Sequence, residues 1–330
     1  MTSSEKTVAF IGLGVMGFPM ALNLRKGLDD SHTLLICDVS EDALKRFQGD
    51  AEGKGPVAIV KSGYEAIQQA DTVITMLPDS GVVKKVYLDS SSGILAGAEA
   101  ALKSDSASKS QKLIMECGTI ETSTILEVAK ATDGSAASSS LTFVDAPVSG
   151  GPMGASDGTL AFMAGMNNKE IYPKVKGYLS HMGKPDAIFL CGDIGSGTAF
   201  KVINNYLSAI TSLAASEALN IGMKMGLDVS LLTDVINVSG GQCWVTSKSN
   251  PVPGIQANVP SSRDYEGGFR IELCRKVLGM GSELAEMVGA RTILDKPTLQ
   301  AFDEAMGDER YKGKDARVVY KWLNESERKS

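Results

Sequence analysis

The residues most able to do chemistry lie in three places. The stretch Thr7–Leu24 reads TVAFIGLGVMGFPMALNL, an apolar strand, a glycine-rich turn and a helix. Its joint is Gly12-Leu13-Gly14-Val15-Met16-Gly17. The first glycine permits a tight turn, the second lets a pyrophosphate approach the backbone, and the third lets the helix pack on the strand. The helix N-terminus then offers unpaired N–H groups and a positive dipole end to the phosphates. The next apolar run, Thr33–Cys37, ends in Asp38, about 20 residues on, where a ribose-binding acid is expected. A carboxylate there accepts hydrogen bonds from a ribose 2′-hydroxyl and repels a 2′-phosphate. Val39 and Ser40 supply no arginine to hold that phosphate, so the pattern favours NAD over NADP. The competing reading is a turn capped by Asp38 with help from Ser40.

The second place is Lys201-x-x-Asn204-Asn205, at the opening of a long helical pattern. Positions i, i+3 and i+4 share a helix face, so the three polar groups project together. A lysine at a cleft donates a proton, or accepts one if desolvation lowers its pKa. The amides of Asn204 and Asn205 can orient a substrate hydroxyl or the lysine. A lysine in a solvated first turn opposes the helix dipole, which favours a functional role. The third place is Ser149-Gly150-Gly151, in the phrase DAPVSGGPMG. Consecutive glycine N–H groups after a strand, with the Ser149 hydroxyl, can cradle a carboxylate. An ordinary strand-ending turn is the alternative. Tyr172-x-x-x-Lys176 has the spacing of a short-chain dehydrogenase pair, but Pro173 follows the tyrosine and no upstream serine is convincingly placed. Trp244 and the 250–254 loop could line a pocket, although packing explains them as well. Asp71 and Lys84-Lys85 read as solvated surface.

Composition narrows the options. The chain has 330 residues, enough for two domains, and a formal charge of −6 with no basic run. That disfavours nucleic-acid and membrane partners, and no apolar run is long enough to span a bilayer. Residues 1–6 carry no charged-then-apolar leader. The five cysteines are scattered and read as reduced thiols. With two histidines and no HExxH or Cys-x-x-Cys, no metal site is expected. The proton-handling group of an enzyme built this way is then not histidine.

The elements that must position these residues alternate in the first half. Strands are expected at Val8–Ile11, Leu34–Cys37, Thr72–Met76, Leu113–Cys117, Thr142–Asp145, Leu160–Ala164 and Ile188–Leu190. Helices lie between them, for example Phe18–Lys26 and Thr122–Thr132, which implies a parallel sheet with crossover helices. Two small-residue tracts, Lys103–Ser110 and Asp133–Ser140, read as loops. After Gly192–Thr198 the pattern turns helical, with a connector over Ala199–Met225 and further helices at Ser230–Val238, Ile271–Val288 and Thr298–Met306. The fold class is α/β: a Rossmann-type nucleotide domain over 1–195, then an all-α domain over 196–330, joined by a long interdomain helix. A cleft between the domains is the natural substrate site.

These segments together resemble the β-hydroxyacid dehydrogenase family over nearly the whole chain, in its 3-hydroxyisobutyrate branch. The matches are FIGLGVMGFPMALNL, Met76–Pro78, DAPVSGGPMGASDGTLAFMAG, GSGTAFKVINN, and CWVTSKSNPVPG running into YEGGF. The resemblance implies metal-free, NAD-dependent oxidation of 3-hydroxyisobutyrate to methylmalonate semialdehyde, a step of valine breakdown. It makes Lys201 the catalytic lysine and Asn205 its partner. Ser149, Gly150 and Gly151 would hold the carboxylate. Leu77, Pro78 and Thr119 would line the cofactor, with Lys276 near the nicotinamide. It further implies a homodimer or homotetramer, and a mitochondrial matrix enzyme if the chain is a processed eukaryotic one, otherwise a cytoplasmic one. Two positions depart from the family. Lys276 is followed by Val277 rather than an aspartate, and MECGTI carries Glu116 and Gly118 where relatives usually have an aspartate and then serines. Reductases of glyoxylate, succinic semialdehyde or tartronate semialdehyde, and a non-catalytic dinucleotide-binding protein, stay open as alternatives.

Overall fold

A computed structural model describes residues 6–103 and 111–325; most of the Lys103–Ser110 tract lies outside the described residues. The chain divides into two compact units, one up to Lys201 and one from Val202.

The first unit is a nine-stranded sheet with helices on both faces. Its strands are β1 (Thr7–Ile11), β2 (Thr33–Cys37), β3 (Val57–Ile59), β4 (Thr72–Thr75), β5 (Lys112–Glu116), β6 (Leu141–Asp145), β7 (Val148–Ser149), β8 (Leu160–Gly165) and β9 (Gly183–Gly192). Its helices are α1 (Gly17–Gly27), α2 (Glu41–Asp50), α3 (Gly63–Gln69), α4 (Ser80–Leu88), α5 (Ile94–Leu102), α6 (Thr122–Gly134), α7 (Gly151–Asp157) and α8 (Tyr172–Leu179). The parallel part runs β3-β2-β1-β4-β5-β6, with the order reversing between β1 and β4. β8 is antiparallel to β6 and β7, and β9 is parallel to β8.

Alternation along each strand feeds two cores. Val8, Phe10, Leu34 and Ile36 face one side, while Ala9, Ile11, Leu35 and Val73 face the other. Strands buried on both faces read as continuous apolar runs, which is why they are visible in the sequence. β3 is three residues long, with Ala58 and Ile59 exposed, and it leaves no such run. Helix starts are set locally. Ser40, Ser62 and Asp79 each accept an amide N–H in the first turn of α2, α3 and α4.

The helix α9 (Ser196–Lys224) begins in the first unit and continues into the second. The second unit adds α10 (Val229–Asn237), α11 (Trp244–Lys248), α12 (Ile271–Met287), α13 (Asp295–Met306) and α14 (Val319–Glu325). Its largest core gathers Ala209, Ile271, Leu278, Phe302 and Val319. A Cβ at Gly281 of α12 would stand 2.5 Å from the Tyr206 ring of α9, so glycine lets those two helices approach.

Asp71 is buried rather than solvated. It pairs with Lys112 at 3.2 Å, because the ends of β4 and β5 bring the two together. Tyr172 donates its hydroxyl proton to the Ile188 carbonyl at 2.7 Å, a packing role for a residue whose spacing suggested catalysis. Asn250 is buried and bonded to Thr233 and the Val252 amide, which makes it part of the framework.

Candidate active site

In a parallel sheet every strand ends on the same edge, and the register aligns those ends. Cys37, Ile11, Thr75, Glu116 and Asp145 form one row across β2, β1, β4, β5 and β6. The candidate residues follow directly: Gly12–Gly17 after β1, Asp38 after β2, Leu77 and Pro78 after β4, Thr119 after β5, and Ser149–Gly151 at the end of β7.

The three glycines differ in what requires them. Gly12 has φ +97°, and a Cβ there would collide with the Met76 carbonyl oxygen of the neighbouring loop. A Cβ at Gly17 would collide with the Gly12 carbonyl oxygen. Gly14 has no such need. Nothing lies within 4 Å of where its Cβ would stand. Its bare backbone fronts open space beside the start of α1, where Met16 provides no side-chain cap for the first-turn N–H groups.

Asp38 acts in two directions. One carboxylate oxygen accepts the Leu13 N–H at 2.5 Å and the other the Ser40 N–H at 2.7 Å. It therefore caps its own turn and braces the glycine turn at once.

Ser149 is half-buried and the two glycines after it begin α7. Gly150 and Gly151 have φ +135° and +65°. Nothing stands within 4 Å of where a Cβ at Gly151 would be, so the space beside this backbone is open. Pro78 is exposed and Thr119 half-buried, while Leu77 is buried.

Helix α9 starts at Ser196, earlier than the sequence suggests, so Lys201 sits in its second turn rather than at its opening. The side chain is 8% exposed. Burial alone pulls its amine down from the ordinary 10.5 to about 8. Asn205 is half-buried, whereas Asn204 is exposed and its side-chain amide donates to Asn205 Oδ1 at 3.4 Å. The face shared by all three residues is thus only partly sheltered: Asn204 stands on its solvent side. The next residue after the lysine, Val202, packs with Val277 and Met280 of α12. Val277 is an apolar contact there, which accounts for the missing acid after Lys276. Lys276 itself is half-buried on α12.

Two buried acids that the sequence reading left without a role hold these loops. Asp145, fully buried at the end of β6, accepts the N–H groups of Gly195 and Thr198 at 2.7 Å each. It caps α9 from 50 residues away and fixes where the lysine's helix begins. Burial pushes its pKa up, and the two amides oppose that. Glu116, at the end of β5, is 1% exposed. Burial pushes it up to about 7, against hydrogen bonds from Thr75, Gly118 and Leu77. The signal for both was available: each is an acid closing an otherwise apolar strand, as Asp38 is.

Residues 7–195 match the family described as the NAD binding domain of 6-phosphogluconate dehydrogenase. Residues 195–323 match the NAD-binding family of NADP-dependent 3-hydroxyisobutyrate dehydrogenase. Human mitochondrial 3-hydroxyisobutyrate dehydrogenase is 36% identical over 325 residues, covering 98% of this chain and 89% of that one. The chain belongs to the 3-hydroxyisobutyrate dehydrogenase family. It is accordingly an oxidoreductase with an NAD-binding domain. The solved structure of Mycobacterium tuberculosis 3-hydroxyisobutyrate dehydrogenase with L-serine superposes with a TM-score of 0.83 at 31% identity, covering 97% of this chain and 99% of that one. The family also includes other substrates. NAD-dependent L-serine dehydrogenase of Pseudomonas aeruginosa is 35% identical, with coverage of 96% and 97%.

The residues fit a dinucleotide of this family. Gly12 and Gly17 are glycines for the protein's own packing, while Gly14 keeps clear a space that the protein itself does not fill. That is where a pyrophosphate would meet the uncapped start of α1. Among the described residues no group of three or more His, Cys, Asp or Glu side chains could hold a metal ion.

Proposed function

We propose that this chain oxidises 3-hydroxyisobutyrate to methylmalonate semialdehyde with NAD, a step of valine breakdown. The observation that carries the reading is Lys201, a buried amine whose pKa of about 8 makes it a usable base near neutral pH. The glycine turn holds the pyrophosphate, Asp38 selects NAD through the ribose, and Leu77, Pro78, Thr119 and Lys276 line the cofactor. NAD, when bound, accepts the hydride from the carbinol carbon. Ser149, Gly150 and Gly151 pin the substrate carboxylate. Neutral Lys201 takes the hydroxyl proton as the carbonyl forms, with Asn205 orienting the amine and Asn204 at the rim. In the reverse direction the Lys201 ammonium returns that proton to the aldehyde oxygen. Proton transfer by a placed side chain contributes about 10²–10⁴-fold.

A second reading is supported by the L-serine named with the mycobacterial structure and by the Pseudomonas relative. Serine carries the same carboxylate and hydroxymethyl group, with an ammonium where 3-hydroxyisobutyrate has a methyl. NADH formation with 3-hydroxyisobutyrate, L-serine and 4-hydroxybutyrate separates the readings. The first substrate should give the highest kcat/KM; a preference for serine overturns the substrate assignment. No turnover of any hydroxy acid would leave the semialdehyde reductases or a non-catalytic role.

Exposed apolar residues on α9 (Leu207, Ile221) and α10 (Leu231, Val235) support a homodimer or homotetramer, which sedimentation would read directly. The human relative's mitochondrial name supports the matrix for this chain if its source is eukaryotic.

A further inference from the structure

The loops after β4 and β5 carry three of the residues assigned to the cofactor, and one buried side chain ties them together. Thr75 and Glu116 are register partners at the ends of those strands. Tyr87 of α4, fully buried, shares a 2.7 Å hydrogen bond with the Thr75 hydroxyl. Thr75 in turn donates to Glu116 Oε2, and the Gly118 N–H donates to Glu116 Oε1 at 2.6 Å. The Leu77 N–H also points at this carboxylate. Every group that meets Glu116 is therefore a donor, from the β4 side and the β5 side alike. In its ionised form the carboxyl offers only acceptors, and it then satisfies all of them. Gly118 completes the joint. A Cβ at that position would stand 2.6 Å from Glu116 Oε1 and 2.6 Å from the Leu77 carbonyl oxygen. Any side chain at 118 would push the acid or the neighbouring loop away.

We propose that Glu116 is a positioning residue for the dinucleotide pocket. Its carboxylate bolts the Leu77–Pro78 loop to the Gly118–Thr119 loop, and Gly118 is the glycine that makes room for it. The pair is matched: the longer acid fills the volume that a side chain at 118 would take. This inference rests on the reading that Leu77, Pro78 and Thr119 line the cofactor. Glu116 touches neither substrate nor the reacting atoms, so its effect appears in cofactor binding rather than in the chemical step.

The test is a mutant cycle read by NADH fluorescence titration and steady-state kinetics. Glu116→Gln keeps the shape but turns a donor toward a donor. Glu116→Asp falls one methylene short of the Gly118 amide, and Gly118→Ser intrudes on the carboxylate. Each single change should raise the NADH Kd and the KM for NAD by about tenfold, the scale of a lost hydrogen bond to a charged group. The kcat at saturating NAD and the KM for the hydroxy acid should stay within about twofold, because an interaction made equally in ground and transition states affects only binding. Glu116→Asp combined with Gly118→Ser should recover to within about threefold of the parent, since the smaller acid frees the volume that the serine fills. Tyr87→Phe, which keeps the ring, gives a milder change if a larger substitution prevents folding. Unchanged NADH affinity in the folded single variants overturns the proposal, as does a double variant as weak as the two losses combined. Gly14→Val serves as the separate control. If it leaves NADH binding intact, the nucleotide site itself is misassigned. If it abolishes binding while the Glu116 variants bind normally, only the matched pair fails.

Discussion

Replacing Lys201 by methionine should make the protein more stable and nearly inactive. The amine is 8% exposed and is pulled from 10.5 to about 8 by desolvation alone. Keeping the charged form in that position therefore costs about 3 kcal/mol, at 1.36 kcal/mol per pH unit. Methionine has similar length and no charge, so at pH 7 the variant should gain on the order of 2–3 kcal/mol and melt several degrees higher. The sign follows from proton counting. Between pH 8 and 10.5 the unfolded chain still holds the proton that the folded chain has released, so parent stability rises with pH across that window. Above it both states are neutral and the penalty is gone. The melting gap between variant and parent should thus be full at pH 7 and close by about pH 10.5. Melting curves at pH 7, 8, 9 and 10 would show it. Alcohol oxidation by the parent should climb tenfold per pH unit and level off near pH 8, with the rate at pH 6 about a hundredth of the plateau. The methionine variant should lose about 10²–10⁴-fold on the plateau above pH 8, and the gap should narrow toward pH 6 as the parent's amine takes up its proton. A gap that stays constant with pH, or a variant less stable than the parent at pH 7, would refute the buried-base reasoning. Turnover within a few-fold of the parent would refute the catalytic role.

Asp38→Ala should weaken NAD binding and reduce discrimination against NADP, since the carboxylate that braces the Leu13 amide would, in the proposed role, repel a 2′-phosphate; an unchanged NAD-to-NADP ratio of kcat/KM would place the determinant elsewhere. Gly12→Ala should lower stability by about 3 kcal/mol or more, because it forces a side chain into a left-handed backbone against the Met76 carbonyl, whereas Gly14→Val should melt like the parent yet fail to bind NADH; thermal melts and NADH titration together check the contrast. Asp145→Asn leaves one oxygen to serve two amides, so it should lower stability by about 2 kcal/mol and reduce kcat with NADH affinity kept, measured by denaturation and saturation kinetics; an unaltered kcat would show that the start of α9 does not set the lysine's position.

The strands buried on both faces, the glycine turn and the long helix were legible because each leaves a local pattern: continuous apolar runs, glycines at fixed spacing, and a helical period. The short edge strand β3 was not, since half-exposed positions need no apolar run. Helices α2–α5 were left undescribed beyond the alternation itself, although Ser40, Ser62 and Asp79 capped three of them. The lysine and the serine–glycine turn were visible as residue types, but their state was not. Burial of Lys201 and exposure of Asn204 depend on what packs around one helix face, and spacing cannot tell those outcomes apart.

By itself the sequence determined which backbone turns could exist and which residue types could carry a proton or hold a phosphate, since glycine spacing and side-chain chemistry act over a few residues. Only the tertiary structure decided that Asp145 caps a helix 50 residues later and that Glu116 faces donors from two loops. Those contacts join positions whose separation along the chain carries no signal, and they arise because parallel strands end in register on one edge of the sheet.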